Sequence, residues 1–290
     1  MENPLISVQI NCHNGGQFLH KAISSVYLQT YKNWEIIFWD NASSDQSVKI
    51  ARSFDQKVKI FSNKEKKNLG EVRDLASRKA KGKYLTFLDC DDEWLPLKLE
   101  EQVKLFQSNS KLGLVYGVAN IINEEDKDLG LSNIKKIPKG NVFEDLLKEN
   151  FIIFSSAMVE KKKFFNSGGF PKKFRDSTDY WTFLKIAQKF EIDALDEVCC
   201  KCRVHQNNLS NKQRIISVEE SILTLKSFLP NKSVEKNLKY HYVSLAIAFL
   251  KERKYYSSII TLMRYNLWFL FAIRVYYFSI KFIKIKLLKN

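Results

Sequence analysis

The sequence predicts an α/β fold with a mostly parallel central sheet flanked by helices, followed by a helical extension at the C-terminus. Three observations predict this fold class. Short apolar runs of strand length alternate with segments of helical spacing, which indicates βαβ units. Polar clusters follow several of these runs directly, where a parallel sheet binds its ligands. Beyond residue 210, the apolar residues recur with helical spacing to the end of the chain.

The first 90 residues contain four predicted strands with helices between them. Apolar runs predict strands over 5–10, 34–39, 58–61 and 84–88. Apolar residues three or four positions apart predict helices over 18–29 and 72–80, and a polar capping cluster at 40–45 precedes a short helix near 48–51. Because strands and helices alternate, these strands are expected to pair in parallel.

The next 120 residues continue the pattern with longer connections. Helical spacing predicts helices over 97–106 and 179–190, and apolar runs predict strands over 114–122, 151–159 and 198–204. The segment 123–140 is polar, which predicts a hairpin or a mobile loop. No internal repeat interrupts this order.

The composition and charge limit the classes of function. Hydrophobic residues make up 45% of the 290 residues and charged residues 27%, which excludes a disordered tail and a disulfide-stapled miniprotein. The net charge of +15 favours an anionic partner. Residues 211–290 hold 15 Lys or Arg and 4 Asp or Glu, a net +11, which leaves +4 for residues 1–210. We therefore predict an ordinary domain over 1–210 with a basic helical region over 211–290, and no nucleic-acid binding by the main domain.

The cysteines and the N-terminus indicate a cytoplasmic protein. Five cysteines, an odd number, are typical of reduced thiols. Cys199, Cys200 and Cys202 lack the two-residue gaps of structural zinc motifs, so we interpret them as part of a buried strand. Residues 1–4 are not a basic stretch followed by an apolar run, so no secretory signal is predicted.

An acidic cluster directly follows the strand predicted over 84–88. In an extended chain, Asp89 and Asp91 point to the same side, so both can face one ligand. Together with Asp92 they place three carboxylates in four residues, which repel each other unless a cation lies among them. Hard oxygen ligands suit Mg²⁺ or Mn²⁺, which commonly bridge carboxylates to substrate phosphates. The cluster therefore predicts a metal–diphosphate site; the alternative is a solvated turn that caps the following helix.

Arg73 lies at the start of the helix that precedes this acidic cluster. A guanidinium near a helix N-terminus suits phosphate oxygens. The alternative is a surface arginine paired with Asp74.

Eight short segments stand in order over about residues 5–210: ISVQINCHN (6–14), SSVYLQTY (24–31), WDNASSD (39–45), NLG (68–70) with Arg73, AKGKYLTFLDCDD (80–92), GGF (168–170), TDY (178–180) and RVHQNNLS (203–210). In these segments the sequence resembles the family 2 glycosyltransferases, which have the GT-A fold. Each segment is weak alone, whereas the ordered set is specific. The resemblance implies an inverting, metal-dependent transferase with a nucleotide-binding half over 1–92 and an acceptor half over 93–210.

The resemblance also assigns roles to individual residues. It implies that Asp40 and the turn with Asn11 and His13 hold the nucleobase, and that Arg73, Asp89 and Asp92 belong to the donor site. Two further assignments concern the metal and the reaction. Asp91 is implied as the ligand of a divalent cation, with His205 as a second candidate for metal or phosphate, and Asp179 as the general base that removes a proton from the acceptor hydroxyl. The alternative for His205 is a loop histidine without such a role.

The sequence departs from the family pattern at three positions. His13 replaces the ring expected to stack on the base, so the nucleobase is not fixed. Asn41 stands where a second Asp is common. Thr178 replaces the Glu of the usual Glu-Asp pair, which makes Asp176 a rival for the role of base. The Gln-x-x-Arg-Trp pattern of polymerising synthases is absent, so we expect one sugar to be added per encounter.

The segment 260–290 is apolar, aromatic and basic. Arg264, Arg274 and Lys281 interrupt it, whereas a membrane span needs about 20 predominantly apolar residues. As a helix it would place one apolar face opposite its basic residues, which is typical of a helix lying on an anionic membrane surface. The alternative is packing on the main domain or on a second copy of the chain in a homodimer.

These observations together predict a peripheral enzyme on the inner face of the plasma membrane. The expected donor is a nucleoside-diphosphate sugar and the expected acceptor a saccharide or lipid-linked glycan used in surface polysaccharide synthesis. Two alternatives remain at this point: a sugar-1-phosphate nucleotidyltransferase, whose glycine-rich start is missing from residues 5–30, and a non-catalytic basic module that binds membrane or nucleic acid.

Overall fold

The computed structural model describes residues 3–132, 137–206 and 208–267. The chain divides into two compact units, 1–211 and 212–290, of which the second is described as far as residue 267.

The first unit alternates strands and helices. Its strands are β1 (Ile6–Cys12), β2 (Trp34–Asp40), β3 (Val58–Ser62), β4 (Tyr84–Phe87), β5 (Glu93–Trp94), β6 (Leu112–Ile122), β7 (Asp128–Leu131), β8 (Met158–Glu160) and β9 (Glu191–Arg203). Its helices are α1 (Gly16–Tyr27), α2 (Ser47–Arg52), α3 (Leu69–Lys79), α4 (Lys98–Ser108), α5 (Phe143–Leu146), α6 (Lys161–Asn166) and α7 (Thr178–Ala187). A short helix, α8 (Leu209–Lys212), follows β9.

The strands form one curled, mixed sheet in the order β3-β2-β1-β4-β8-β6-β9-β5, with β7 paired to β6. Strands β1 to β4 pair in parallel, and β6 pairs in parallel with β9. Strands β5, β7 and β8 pair antiparallel with their neighbours. Six of the nine strands therefore share one direction, and their carboxyl ends meet along one edge of the sheet.

The centre of the sheet forms the hydrophobic core. All seven residues of β2 and six of the seven in β1 are buried, because helices cover both faces of these strands. The apolar face of α1, which includes Leu19, Ile23 and Val26, packs into the same cluster. This buried centre holds the carboxyl ends of β1, β2 and β4 at fixed positions.

The strand predicted over 151–159 is mostly wrong. Only Met158 and Val159 of that range are in a strand, β8, and Phe154–Ser156 form a 3₁₀ turn. The apolar side chains of this segment are buried without strand pairing, so their hydrophobicity does not reveal the backbone conformation. The hairpin predicted within 123–140 is present as the β6–β7 pair.

The second unit is helical over its described part. It contains α9 (Arg214–Lys226), α10 (Lys232–Lys251) and α11 (Tyr255–Arg264). None of the helices in the described ranges combines the length and the apolar character that a membrane span needs. Most of the amphipathic segment predicted over 260–290 lies outside the described residues.

Candidate active site

Four polar segments follow the carboxyl ends of parallel strands in the first unit. Asn11 lies at the end of β1, Asp40 at the end of β2, the acidic cluster after β4 and His205 after β9. In the sheet register, Cys12 lies opposite Asp40 and Gln9 opposite Phe87, so the first three segments are on adjacent strands. The fold therefore brings residues from both halves of the unit to one edge of the sheet.

The turns after β1 and β2 are tied together by hydrogen bonds. The Asp40 carboxylate is buried and accepts a hydrogen bond from the Ser43 N–H at 3.1 Å. His13 is exposed, and its Nδ1 lies 2.9 Å from the carbonyl oxygen of Asn41. Asn11 donates to the Val72 carbonyl at 3.4 Å, which links β1 to α3. These contacts form a polar rim around the ends of the first two strands.

Arg73 connects the acidic cluster to the start of α7. It is buried, and its Nη2 donates to Asp89 Oδ1 at 3.2 Å, while Nη1 donates to Thr178 Oγ1 at 2.6 Å. Its guanidinium carbon lies 3.6 Å from the ring centroid of Phe154, a cation–π contact. The alternative pairing with Asp74 is not formed, because Asp74 instead accepts from Arg78 at 2.8 Å.

The helix that carries Arg73 is fitted closely to the loop before α7. The N–H of Gly70 donates to the Phe174 carbonyl at 2.9 Å. A Cβ at position 70 would lie 2.0 Å from the Pro171 carbonyl oxygen, so only glycine allows this approach. The packing fixes Arg73 next to Thr178.

Asp91 and His205 are adjacent although 114 residues separate them. His205 Nε2 lies 2.9 Å from Asp91 Oδ2, and Asn208 Nδ2 donates to the same oxygen at 3.1 Å. A cleft of about 500 Å³ borders His205 and is lined by Asn123, Glu124, Glu125, Val204, His205 and Gln206. The structure thus brings the two predicted metal ligands together, with His205 on the wall of a cleft.

Asp92 differs from its neighbours because its carboxylate is enclosed by protein. It is only 3% exposed, and its two oxygens accept from the Ser155 hydroxyl at 2.5 Å and the Arg203 N–H at 2.8 Å. Burial raises the pKa of this carboxyl well above its usual range. Because both oxygens are bonded to the protein, Asp92 fits a role in holding residues 89–92, the acidic loop, in place. This role fits the contacts better than the donor contact that the resemblance implies for Asp92.

Asp179 lies in the first turn of α7, next to the residue that accepts from Arg73. Its Oδ2 accepts a hydrogen bond from Asn150 at 2.8 Å. Loss of bulk water around the half-buried Asp89 raises the pKa of Asp89 to about 6, and the negative charges of Asp91 and Asp179 act in the same direction, while Arg73 opposes them. Asp179 is therefore within electrostatic reach of the acidic cluster.

The charges and donor atoms of this site fit a divalent cation. The mutual repulsion of Asp89, Asp91 and Asp92 is the situation that a bound cation relieves. In the described ranges, His, Cys, Asp and Glu side chains do not gather in any group of three or more that could hold a metal. Asp91 and His205 alone would supply two ligands, which suits a cation that takes its remaining ligands from phosphates and water.

Three further residues of the site were not singled out by the sequence analysis. Ser155 accepts from the Asp89 N–H at 3.0 Å and donates to Asp92, and Phe154 supports Arg73. Asn150 contacts Asp179. Two of these lie in the segment wrongly predicted as a strand, and the third lies just before it; a serine or asparagine in such a segment gives no signal of its own.

Comparisons with known proteins agree on one family. The model of the family described as Glycosyl transferase family 2 matches residues 7–166. The glucosyltransferase WfgD of Escherichia coli, named UDP-Glc:alpha-D-GlcNAc-diphosphoundecaprenol beta-1,3-glucosyltransferase, is 31% identical over 218 residues, which cover 73% of this chain and 82% of WfgD. These matches confirm the resemblance inferred from the eight sequence segments.

Two solved structures share the fold at low sequence identity. Residues 1–349 of S. aureus TarS in complex with UDP-GlcNAc superpose with a TM-score of 0.63 and 14% identity, over 83% of this chain and 70% of that chain. The mannosyltransferase PcManGT from Pyrobaculum calidifontis, in complex with GDP-Man and Mn²⁺, gives a TM-score of 0.63 and 16% identity, over 93% of this chain and 84% of that chain. The predicted GT-A fold is confirmed.

Proposed function

The chain belongs to glycosyl transferase family 2, and we propose that it transfers one sugar from a nucleoside-diphosphate sugar, with inversion, to a hydroxyl of a glycan or lipid-linked acceptor. The observation that carries this proposal is the bridge made by Arg73. It contacts Asp89 in the acidic loop and Thr178 next to Asp179, so the proposed donor site and the proposed base meet at one edge of the sheet.

In this proposal the two halves of the first unit have different tasks. Residues 1–92 bind the donor: Asp40, Asn11 and His13 lie around the nucleoside, and Asp89, held by Arg73, lies toward the ribose or base. Residues 93–210 bind the acceptor. The tight packing of Gly70 against the loop before α7 supports this division, because it fixes the distance between donor and acceptor groups.

Asp91 and His205 would hold Mg²⁺ or Mn²⁺ against the donor diphosphate. A bound cation at this place neutralises the charge that develops on the leaving nucleoside diphosphate. The 2.9 Å approach of the two side chains supports the assignment, and so does the Mn²⁺ present in the PcManGT complex. Asp92 and Ser155 keep the loop of Asp91 in place.

Asp179 would act as the general base. Its carboxylate takes the proton of the acceptor hydroxyl while the hydroxyl oxygen attacks the anomeric carbon and the nucleoside diphosphate leaves from the opposite side. A single displacement of this kind inverts the anomeric configuration. A general base typically contributes about 10²- to 10⁴-fold to the rate. The hydrogen bond from Asn150 orients the carboxylate without protonating it.

The acceptor class is proposed from the relatives and from the charge of the second unit. The name of WfgD gives its acceptor as a GlcNAc-diphospholipid, so we propose a lipid-linked saccharide and a role in surface polysaccharide synthesis. A lipid-linked acceptor requires access to a membrane surface. We place the enzyme in the cytoplasm, peripherally bound to the inner face of the plasma membrane through 260–290.

The exposed face of α11 supports the membrane contact. Tyr256 is 77% exposed and Met263 65%, and Tyr255 and Ile259 lie exposed on the same helix. From Arg253 onward, the sequence has eight basic residues and no acidic one. Exposed aromatic and apolar side chains flanked by basic residues suit an anionic lipid surface.

Nucleotide binding with and without metal tests the donor site. We expect one of UDP, GDP and dTDP to raise the melting temperature in Mn²⁺ but not in EDTA, since binding at 100 times Kd stabilises by about 2.7 kcal/mol. Asp91→Asn should lose the Mn²⁺-dependent rise in melting temperature. Asp128→Asn, on the exposed strand β7, is the matched control and should behave like the wild type. If no nucleotide shifts the wild-type melting temperature, the chain is a non-catalytic module and the proposal is wrong.

A further inference from the structure

Arg203, at the end of β9, is a charged side chain with no exposure to solvent: its relative accessibility is 0%. A buried guanidinium is costly unless its N–H groups and its charge are matched by partners. The buried ion pairs alone are weak evidence for a role in stability, because apolar residues of similar size often stabilise a core equally well. The contacts of Arg203 therefore indicate a role that needs its particular geometry.

The guanidinium contacts three separate segments of the first unit. Nε donates to the backbone carbonyl of Asp91 at 3.0 Å, and Nη2 donates to Glu93 at 2.7 Å. Nη1 donates to the carbonyl of Asn123 at 2.9 Å and to the carboxylate of Asp126 at 2.5 Å, both in the turn between β6 and β7. Its guanidinium carbon also lies 4.5 Å from the ring centroid of Phe18, on α1.

The backbone of Arg203 completes the connection. Its N–H donates to Asp92 at 2.8 Å, its carbonyl accepts from Asn208 at 3.2 Å, and His205 is only two residues away. Asn208 also contacts the Asp91 carboxylate. One residue is thus bonded to the main chain of Asp91 and sits in the same short segment as His205.

We propose that Arg203 is a positioning residue that sets the distance and orientation between Asp91 and His205 for the divalent cation. This inference rests on the proposed function. Arg203 does not touch the cation or the donor; it acts by fixing the backbone of one ligand and the strand end that carries the other. A planar fork of donors is required, because one side chain has to reach Asp91, Glu93 and the β6–β7 turn at once.

The substitution Arg203→Lys tests this role because it keeps the positive charge but loses the planar arrangement of N–H donors of the guanidinium. We expect the Mn²⁺ concentration that half-saturates UDP binding to rise about 10- to 100-fold, the usual effect of losing a partner that orients a metal ligand. The melting temperature without nucleotide and the folded fraction at the assay temperature should stay as in the wild type. Mn²⁺ uptake is measured directly by electron paramagnetic resonance of the free ion.

Asp126→Asn decides the question if Arg203→Lys does not fold. Asp126 has φ 65°, a conformation that Asn tolerates, so this variant removes one charged partner of Arg203 with little backbone strain. We expect a several-fold rise in the Mn²⁺ requirement. Lys21→Gln is the matched control, since Lys21 contacts Asp126 at 2.5 Å from the exposed side and should leave the Mn²⁺ requirement unchanged.

The outcomes separate this inference from the proposed function. If the wild type binds UDP with Mn²⁺ and neither Arg203→Lys nor Asp126→Asn changes the Mn²⁺ requirement beyond Lys21→Gln, the positioning role is wrong. If the wild type takes up no Mn²⁺ in the presence of any nucleotide tested, the proposed metal site itself is wrong.

Discussion

At the scale of single residues, Lys98 is the clearest case of a charge placed inside the core. It is 1% exposed, and its ammonium donates to Thr86 Oγ1 at 3.0 Å and to Gln102 Oε1 at 2.8 Å. It also lies 4.1 Å from the ring centroid of Trp94. Neither hydrogen-bond partner is charged, and burial lowers the pKa of Lys98 to about 8. Lys98 therefore makes the stability of the fold depend on pH.

The sign of this dependence follows from the two pKa values of Lys98, about 8 when folded and 10.5 when unfolded. Between pH 8 and pH 10.5 the unfolded chain binds more protons than the folded chain. The free-energy cost of burying the charged Lys98 ammonium is therefore complete below pH 8 and is lost as the pH rises to 10.5. Urea titration gives the free energy of unfolding of the wild type and of Lys98→Met at each pH. We expect the wild-type value to rise relative to that of Lys98→Met by at most about 3 kcal/mol over this range.

The comparison with Lys98→Met cancels the titration of groups common to both proteins. Lys111→Met, in which the replaced side chain is 76% exposed, is the surface control. A constant difference between the wild type and Lys98→Met from pH 8 to 10.5 would contradict the buried charge.

Single residues also show what the sequence could reveal about the site. Asp91 and His205 are predicted as metal ligands because each stands in a segment after a strand that resembles a family motif. Asp92 stands in the same segment, but its orientation depends on Ser155 and Arg203, which lie 63 and 111 residues away. A local pattern shows which residues are present; whether a carboxylate faces a ligand or the protein depends on partners that are distant in sequence.

At the scale of elements, the predictions succeeded where periodicity and burial agree. The strands β1, β2 and β4 are buried on both faces and are mostly apolar in sequence, so their positions were predicted to within one or two residues. The segment 151–159 is equally apolar, yet the rings of Phe154 and Phe170 pack around Phe87 without a ladder of backbone hydrogen bonds at Phe154. Hydrophobicity predicts burial there, not strand pairing.

Helix α11 is the element whose function is most open to a direct test. We expect the full chain to sediment with phosphatidylglycerol vesicles and not with phosphatidylcholine vesicles, because each basic residue near an anionic surface contributes about 1 kcal/mol. Replacing both Tyr256 and Met263 by Ser should weaken this binding several-fold without changing the net charge.

Tyr240→Ser is the matched control for α11, since Tyr240 is 43% exposed on α10. It should leave vesicle binding unchanged. Equal sedimentation with both kinds of vesicle would contradict the role of the basic residues in the contact. Sedimentation with neither would remove the membrane contact and favour packing on the main domain or a second copy of the chain.

At the scale of the whole molecule, the first unit contains every residue of the proposed reaction. Its sheet has the turns of the proposed nucleotide site after β1 and β2, the acidic loop after β4 and His205 after β9, while α3 and α7 bring Arg73 and Asp179 to the same edge. The parallel pairing of strands β1 to β4 follows from the βαβ pattern. The antiparallel insertion of β8 between β4 and β6 has no such local signal, because it depends on pairing between distant segments.

The central claim is that Asp179 removes the acceptor proton beside a donor held at the acidic loop. The most direct measurement is release of UDP from UDP-glucose, with Mn²⁺ and a GlcNAc-diphospholipid acceptor, by the wild type, Asp179→Asn and the rival-base variant Asp176→Asn. Other sugar nucleotides replace UDP-glucose if the wild type does not use it. We predict that Asp179→Asn loses about 10²- to 10⁴-fold in rate while its Mn²⁺-dependent UDP affinity is unchanged, and that Asp176→Asn stays active. An active Asp179→Asn, or a loss confined to Asp176→Asn, would contradict the account.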